Sequence, residues 1–444
     1  MASRPRMIGN DQRDALTGLP GPGAMRERLT AWQAQAAQLR QVAPVHVMLI
    51  SLGRIDAVNL AYGEDAGDGA LVAVAERILH FAEDEFAAGD WIAARMAGGS
   101  FMVAAREACS RERWQWLGEA LADAVAHPIS GAGDASTMRL WPRIALMRAM
   151  PGERPQMVFD RLGDAIDDIR ARHGQRMVWS NGSVAPRGIS SAQLEADLLA
   201  ALDRDEIEIV FQPQFSLPED CLIGAEAMAR WHHPMLGRIG ASTLFAIAER
   251  ADHVAQLSRH IAEKSFHAAA AWPQHLRLSL NVTPADLAAA SFASEMESMI
   301  ELTGFSAQRT TLEITEHVLL GELERSAAML NGLRRLGIRV ALDDFGAGFC
   351  NFRYLKLLPL DYIKLDRAMV EGITETPTDR AVFRAMIAMA GALGLQTIAE
   401  GIETEDQRNW ITAEGCDFYQ GYFRAAPMSP AAFMQLAQSR SDLA

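Results

Sequence analysis

Hydrophobic positions recur with two different periods along this chain. Residues 45–52, VHVMLISL, form a nearly unbroken apolar run of strand length. Residues 66–81 switch to helical spacing, with Leu71, Val74, Ala75 and Ile78 on one face. Residues 91–96 and 101–105 read as two strands around Ala97-Gly98-Gly99-Ser100, a tight turn in which glycine accepts positive φ. The first part of the chain is therefore expected to be a mixed α+β domain carrying an antiparallel hairpin.

The pattern changes after residues 181–191, NGSVAPRGISS, where Asn-Gly, Pro and Ser signals interrupt it. Beyond the break, apolar runs fall at 207–211, 222–227, 276–281, 310–315, 338–343, 361–365, 395–399 and 417–420. Helix-like stretches such as 243–271 and 379–393 lie between several of them. Strand–helix alternation over ~250 residues predicts an α/β fold, a TIM-like (β/α)8 barrel. The expected layout is a first domain over 1–183, a linker over 184–190, a barrel over 191–438 and a short tail over 439–444.

Composition narrows the function classes. The chain has 444 residues, 49% apolar and 22% charged, too long for one ordinary domain and too apolar for a disordered chain. Its formal net charge of −14 argues against duplex nucleic acid as a partner, while leaving room for a small anion held by local charges. Cys109, Cys221, Cys350 and Cys416 lack metal-type spacing and read as thiols of a reducing compartment. The opening MASRPRMIGNDQRD has no apolar signal region, and no apolar run reaches the ~18 residues of a membrane span. A cytoplasmic protein with no membrane span is expected.

The strand ends carry the chemistry. Successive runs deliver Gln212, Glu226, Asn281, Glu313 with Glu316, Asp343 with Asp344, Lys364 with Asp366, Glu400 with Glu403, and Gln420. In a barrel these positions share the rim where active sites of this architecture sit. Carboxylates crowded there repel one another, so they must take up protons or surround cations. Glu226, Asn281, Glu313, Asp343, Asp344 and Glu400 form an oxygen-only donor set, which suits Mg²⁺ or Mn²⁺ rather than Zn²⁺. Adjacent aspartates can serve two metals ~4 Å apart, which lower the pKa of a water and neutralise a phosphoryl oxygen. Lys364 would orient that water or neutralise that oxygen. Each residue alone has a plainer reading: a strand-end acid is commonly a helix cap, and a rim lysine commonly snorkels. The joint pattern favours metal binding.

At these residues the chain resembles the EAL-domain family of cyclic-di-GMP phosphodiesterases. IVFQP, GAEAMARWHHPMLG, SLNVTP, LEITE, ALDDFGAGF, DYIKLD, TIAEGIET and GYFRAAP occur in family order and spacing. The resemblance implies a barrel that hydrolyses cyclic-di-GMP to linear pGpG with two Mg²⁺ or Mn²⁺ ions per active site. It implies that Glu226, Asn281, Glu313 and Asp343 hold the first metal, and Asp343, Asp344 and Glu400 the second. Lys364 would contact the attacking water and Glu403 would support the metal site from behind. Glu316 would tether the Asp-Asp-Phe-Gly loop, and Gln212, Arg230, Asp366 and Gln420 would approach the substrate. A homodimer through the EAL domain is also implied. The name-giving triplet here is Glu226-Ala227-Met228, with methionine replacing leucine at similar volume. Ala241, Leu244, Cys350 and Asn351 also depart from the family pattern, the last two in the loop that couples the site to dimerisation.

Residues 11–180 resemble a GGDEF (diguanylate cyclase) domain that has lost its catalytic equipment. Asp14-Ala15-Leu16-Thr17-Gly18-Leu19-Pro20, Asn59, Tyr62-Gly63 and Gly67-Asp68 match its motifs. The signature hairpin, however, reads Ala97-Gly98-Gly99-Ser100-Phe101, the first-strand carboxylate is Ser51, and Asp56 stands at a lysine position. Without acids at Ser51, Gly99 and Ser100, two cations cannot be held against a triphosphate, so no cyclase activity is expected. The acidic inhibitory-site motif is also absent around Ala88 to Trp91. This domain is then a scaffold, or retains a ligand, either a protein partner or a nucleotide. For the whole chain, the alternative to an enzyme is a silent cyclic-di-GMP receptor acting through protein contacts.

Overall fold

The computed structural model describes residues 13–439 except 39–43, 54, 56–57, 60–62, 88, 131–136, 150–152, 172–175, 181–190, 316–322 and 347–351. The linker at 184–190, Asp56, Tyr62, Glu316 and Cys350 therefore lie outside the described residues. The chain divides into two compact units, Met1–Asp197 with Trp231–Ile247, and Leu198–Arg230 with Ala248–Ala444.

The first unit holds strands β1 (Val45–Gly53), β2 (Trp91–Ala97), β3 (Ser100–Arg106), β4 (Trp141–Arg148) and β5 (Met177–Trp179) in the order β2-β3-β1-β4-β5. β1 is central and antiparallel to both neighbours. Eight of its nine residues are buried, which explains the unbroken apolar run. Helices Pro22–Gln38 and Pro155–Ala171 pack Leu29, Val158 and Leu162 with Val47 and Leu49 on one side of the sheet. Helices Glu64–Glu85 and Arg111–Ala126 also pack on it and bury Val74, Ile78, Leu117 and Leu121. The expected hairpin forms between β2 and β3, with Ala97 opposite Ser100 and Gly98 at φ 55°.

The barrel strands, all in the second unit except Trp231–His233 at the end of β7, are β6 (Ile207–Ser216), β7 (Leu222–His233), β8 (Arg277–Val282), β9 (Thr310–Thr315), β10 (Arg339–Phe345), β11 (Tyr362–Leu365), β12 (Gln396–Ala399) and β13 (Phe418–Gln420). They pair in that order and close through β13 with β6 and β6 with β7. β7 to β13 run parallel, whereas β6 is antiparallel to β13.

Two expectations need correction here. Gln212 was placed at the C-terminal end of a strand parallel to the rest, but β6 continues to Ser216 and runs the opposite way. The cause is legible in chain length: only residues 217–221 separate β6 from β7, whereas a parallel crossover needs roughly a dozen. The helix-like stretch 243–271 is two helices, Ala241–Arg250 and Val254–Ala269, interrupted where Asp252 adopts φ 59°. No helix among the described residues is long and apolar enough to cross a membrane.

Candidate active site

Strand alternation turns one set of side chains into the barrel. On β7 it buries Glu226 at 7% exposure, and on β9 it buries Glu313 at 1%. Register sets their neighbours: Ser279 lies opposite Glu226, Asn281 opposite Glu313, and Thr315 opposite Asp343. Asn281 Nδ2 donates to Glu226 Oε1 at 2.8 Å.

Alternation alone would send Asp343 and Asp344 to opposite faces. The register between β10 and β11 shifts between Leu342 and Phe345, and Asp344 adopts a left-handed φ of 54°. Such a bulge re-aims a side chain, and aspartate tolerates this conformation better than most residues. As a result Asp343, Asp344 and Glu400 bring carboxylate oxygens within 4.8 Å of one another. Glu226, Glu313 and Asp343 do the same. Asp343 belongs to both groups.

Lys364 rises from β11 into the middle of these acids and is 1% exposed. Its Nζ lies 2.6 Å from Glu313 Oε2, 2.8 Å from Glu400 Oε1, 2.9 Å from Asp343 Oδ1 and 3.2 Å from Glu226 Oε2. Burial alone would favour a neutral amine, but the four surrounding carboxylates outweigh it and hold the ammonium well above its usual pKa. Burial pushes Glu313 up to about 8, reinforced by the charge on Glu226. Asp343 and Glu400 are raised by burial as well, against the pull of Lys364. Glu226 moves the other way: burial opposes its charge, but Lys364, Gln420 and Asn281 together hold it below the usual carboxylate range.

The remaining candidates take distinct places. Gln420 Nε2 donates to Glu226 Oε2 at 2.9 Å and to Glu400 Oε1 at 2.8 Å, so it joins one acid from each group. Its location depends on Gly421, at φ 153°, because a Cβ there would lie 2.3 Å from the Ile402 backbone N and O. Gln212 Nε2 donates to the Ala425 carbonyl at 2.8 Å. Arg230 is buried and donates to the Ala229 carbonyl at 2.8 Å. Asp366 accepts the Ala368 amide at 2.8 Å and closes the turn after β11. Glu403 pairs with Arg367 at 2.8 Å on the rim. The sequence reading did not single out Gln214, whose Nε2 donates to Gln420 Oε1 at 3.0 Å. The signal was present: Gln214 is two residues from Gln212 on one strand and so shares its face.

Several features fit a pair of hard divalent cations. Glu313 Oε1 is fully buried with no hydrogen-bond partner, an arrangement that costs free energy unless something accepts its lone pairs. Both acid groups offer only oxygen. Were all five carboxylates ionised, the charge left beside one ammonium is one that two divalent cations would cancel.

The first unit treats the corresponding problem differently. Ser51 on β1 lies opposite Ser100 in the hairpin, and its hydroxyl accepts from Arg170 Nη2 at 2.7 Å. A guanidinium thus stands beside the position where the GGDEF resemblance expects a metal carboxylate.

Sequence profiles agree with this geometry. The EAL domain matches residues 195–427, and the diguanylate cyclase GGDEF domain matches residues 11–176. The chain belongs to the EAL-domain family, a divalent-metal-dependent class, with a GGDEF domain preceding the barrel. Cyclic di-GMP phosphodiesterase NbdA of Pseudomonas aeruginosa is 29% identical over 96% of this chain and 54% of its own length. Protein y4lL of Sinorhizobium fredii is 30% identical over 97% of this chain and 51% of its own. The chain thus spans about half the length of these relatives. Among solved structures, a PaMucR phosphodiesterase in complex with c-di-GMP is 28% identical, covering 54% of this chain and 99% of its own at a TM-score of 0.52. The S helix-GGDEF-EAL structure of Vibrio cholerae LapD bound to c-di-GMP has a TM-score of 0.50 over 94% of this chain and 96% of its own, at 16% identity, and supports the fold alone.

Proposed function

We propose that this chain hydrolyses one phosphodiester bond of cyclic-di-GMP to linear pGpG, using two Mg²⁺ or Mn²⁺ ions at the barrel mouth. The observation that carries the reading is Asp343, common to two carboxylate groups and 2.9 Å from a buried ammonium. Family membership and the phosphodiesterase relatives support the same substrate. Glu226, Asn281, Glu313 and Asp343 would hold one ion, and Asp343, Asp344 and Glu400 the other. Bound there, the ions would lower the pKa of the attacking water and neutralise charge developing on the phosphoryl oxygen.

The chain's own side chains do the rest. Lys364 keeps the acids together and donates from its ammonium to orient the attacking water. Gln420 spans Glu226 and Glu400 and sets the separation of the two ligand groups. Gln212, Arg230 and Asp366 line the approach, with the Arg230 guanidinium suited to a phosphate oxygen. Glu403 and Glu316 act through the loops that carry the ligands. The first unit, with Ser51, Gly99 and Ser100 in place of acids, makes no cyclic-di-GMP. The protein works in the cytoplasm as a homodimer through the EAL domain.

The test is purified full-length chain with cyclic-di-GMP and Mg²⁺ or Mn²⁺, followed by chromatography for pGpG. Turnover that is lost in Glu226→Ala supports the enzyme. Binding without turnover, unchanged in Glu226→Ala, would support the silent receptor instead. The same preparation given GTP is expected to yield no cyclic-di-GMP.

A further inference from the structure

We infer that Gln214, buried at 3% exposure on the antiparallel strand β6, is a positioning residue that couples the two metal sites by fixing the amide of Gln420. The inference rests on the two-metal reading above. Gln214 and Gln420 are direct partners in the β13–β6 ladder. Gln214 Nε2 donates to Gln420 Oε1 at 3.0 Å, and Gln420 Nε2 donates onward to Glu226 and Glu400 at 2.9 and 2.8 Å.

An amide has two faces, and only one works here. With Nε2 toward the acids, both its hydrogens meet carboxylate oxygens. Flipped, Oε1 would face the Glu226 carboxylate and Nε2 would face the Gln214 donor. Without cations, the acids themselves enforce the correct face. Once cations draw the Glu226 and Glu400 oxygens, that enforcement weakens, because the carboxylate charge is then neutralised. Gln214 adds a hydrogen bond to that amide from the side away from the acids, and this bond does not depend on the acids' charge. The antiparallel direction of β6 matters for this: it sets Gln214 beside the final residue of β13, at the mouth, with Ser216 toward the other end.

The consequence is a coupling of affinity. Glu226 lies in one ligand group and Glu400 in the other. A Gln420 held in one orientation keeps their oxygens a fixed distance apart, so loading one group prepares the other. Groups that orient metal ligands in this way commonly change metal affinity by about tenfold or more when removed.

The test uses full-length protein with Mn²⁺ alone, no nucleotide, and free Mn²⁺ read by electron paramagnetic resonance. Gln214→Met is expected to weaken Mn²⁺ uptake about tenfold. Gln214→Glu, equal in volume, is expected to weaken it at least as much, because an ionised carboxylate cannot donate to Gln420 Oε1. The double variant Gln214→Met/Gln420→Met is expected to match Gln420→Met alone, since Gln214 acts only through that amide. Wild-type Mn²⁺ affinity in either Gln214 variant overturns the inference, as does a double variant whose losses multiply. Gln214→Glu keeps the question open to test where Gln214→Met fails to fold. Hydrolysis is read separately: wild-type turnover with an unaffected Gln214→Met sinks this inference alone, whereas intact coupling without turnover sinks only the phosphodiesterase reading.

Discussion

The two units of this chain face one electrostatic problem and resolve it in opposite ways. At the barrel mouth, acids from β7, β9 and β10 and Glu400 just after β12 surround one lysine, and a buried Glu313 oxygen is left without a partner. At the β2–β3 hairpin the acids expected of a nucleotide cyclase are gone, and Arg170 donates to Ser51 instead. One site keeps an excess of negative charge that a bound cation would relieve. The other has a fixed cation of its own beside a neutral hydroxyl. If metal dependence belongs to the second unit alone, experiments that add or remove metal should separate the two.

The largest effect is expected at Asp343. Asp343→Asn removes the carboxylate shared by both groups, so neither keeps its full ligand set. Metal ions at such sites supply several kcal/mol of transition-state stabilisation, so turnover should fall at least about 100-fold. Mn²⁺ titration should show weakened uptake at both sites. Uptake lost at one site only would break the picture of a shared ligand.

Stability against pH distinguishes the units next. Glu313, with an ordinary value of 4.5, is raised by burial to about 8. Glu85 in the first unit is fully buried and raised by burial to about 7. A carboxyl whose folded pKa is raised binds more protons in the folded state, so each contributes stability that declines as pH climbs from its unfolded value to its folded one. Asp343 and Glu400 are raised too and add to the decline. Metal-free protein should therefore melt lower near pH 8 than near pH 5, by roughly 5 °C. Saturating Mn²⁺ should remove the Glu313 share, because a cation then balances the ionised group. It should leave the Glu85 share, which is complete once the pH passes about 7. Differential scanning calorimetry of Glu313→Gln and Glu85→Gln, each with and without Mn²⁺, assigns the slopes. A metal-insensitive slope in Glu85→Gln would refute the division.

Backbone geometry should give a smaller loss. Gly421→Ala places a Cβ against the Ile402 backbone N and O, 2.3 Å away, where no side chain can yield. Overpacking of this kind costs about 1–3 kcal/mol. Because Gln420 precedes it, the variant should lose turnover beyond its loss of melting temperature. Equal activity in folded Gly421→Ala would show that Gln420 tolerates displacement.

Much of this site was legible from strand ends. Asn281, Glu313, Asp343, Lys364 and Glu400 stand at or near the ends of short strands, whereas β7 continues past Glu226 to His233; the barrel gathers all six. The direction of β6 was misread although the short connection at 217–221 announces it. The bulge between Leu342 and Phe345 was not legible, because a register shift depends on the neighbouring strand rather than on local pattern. Gln214 hid for a related reason: its importance comes from a partner 206 residues away, not from its own segment. In the first unit, the missing acids could be read directly, but the arrival of Arg170 at Ser51 could not, since 119 residues separate them.

The smallest expected effect tests whether a fixed cation keeps metal out of the first unit. Ser51→Asp restores the carboxylate on β1, where the hydroxyl now lies 2.7 Å from Arg170 Nη2. If the guanidinium is what fills this position, the new acid will pair with it. Arg170 is 50% exposed, so such a pair contributes at most about 1 kcal/mol and the melting temperature should hardly move. Made in the Asp343→Asn background, which weakens the barrel's own uptake, the variant should bind no more Mn²⁺ than that background alone. Added Mn²⁺ uptake would mean that one missing carboxylate, rather than an occupying cation, silences this unit. The contrast between the two units would then be one of ligand count, not of charge sign.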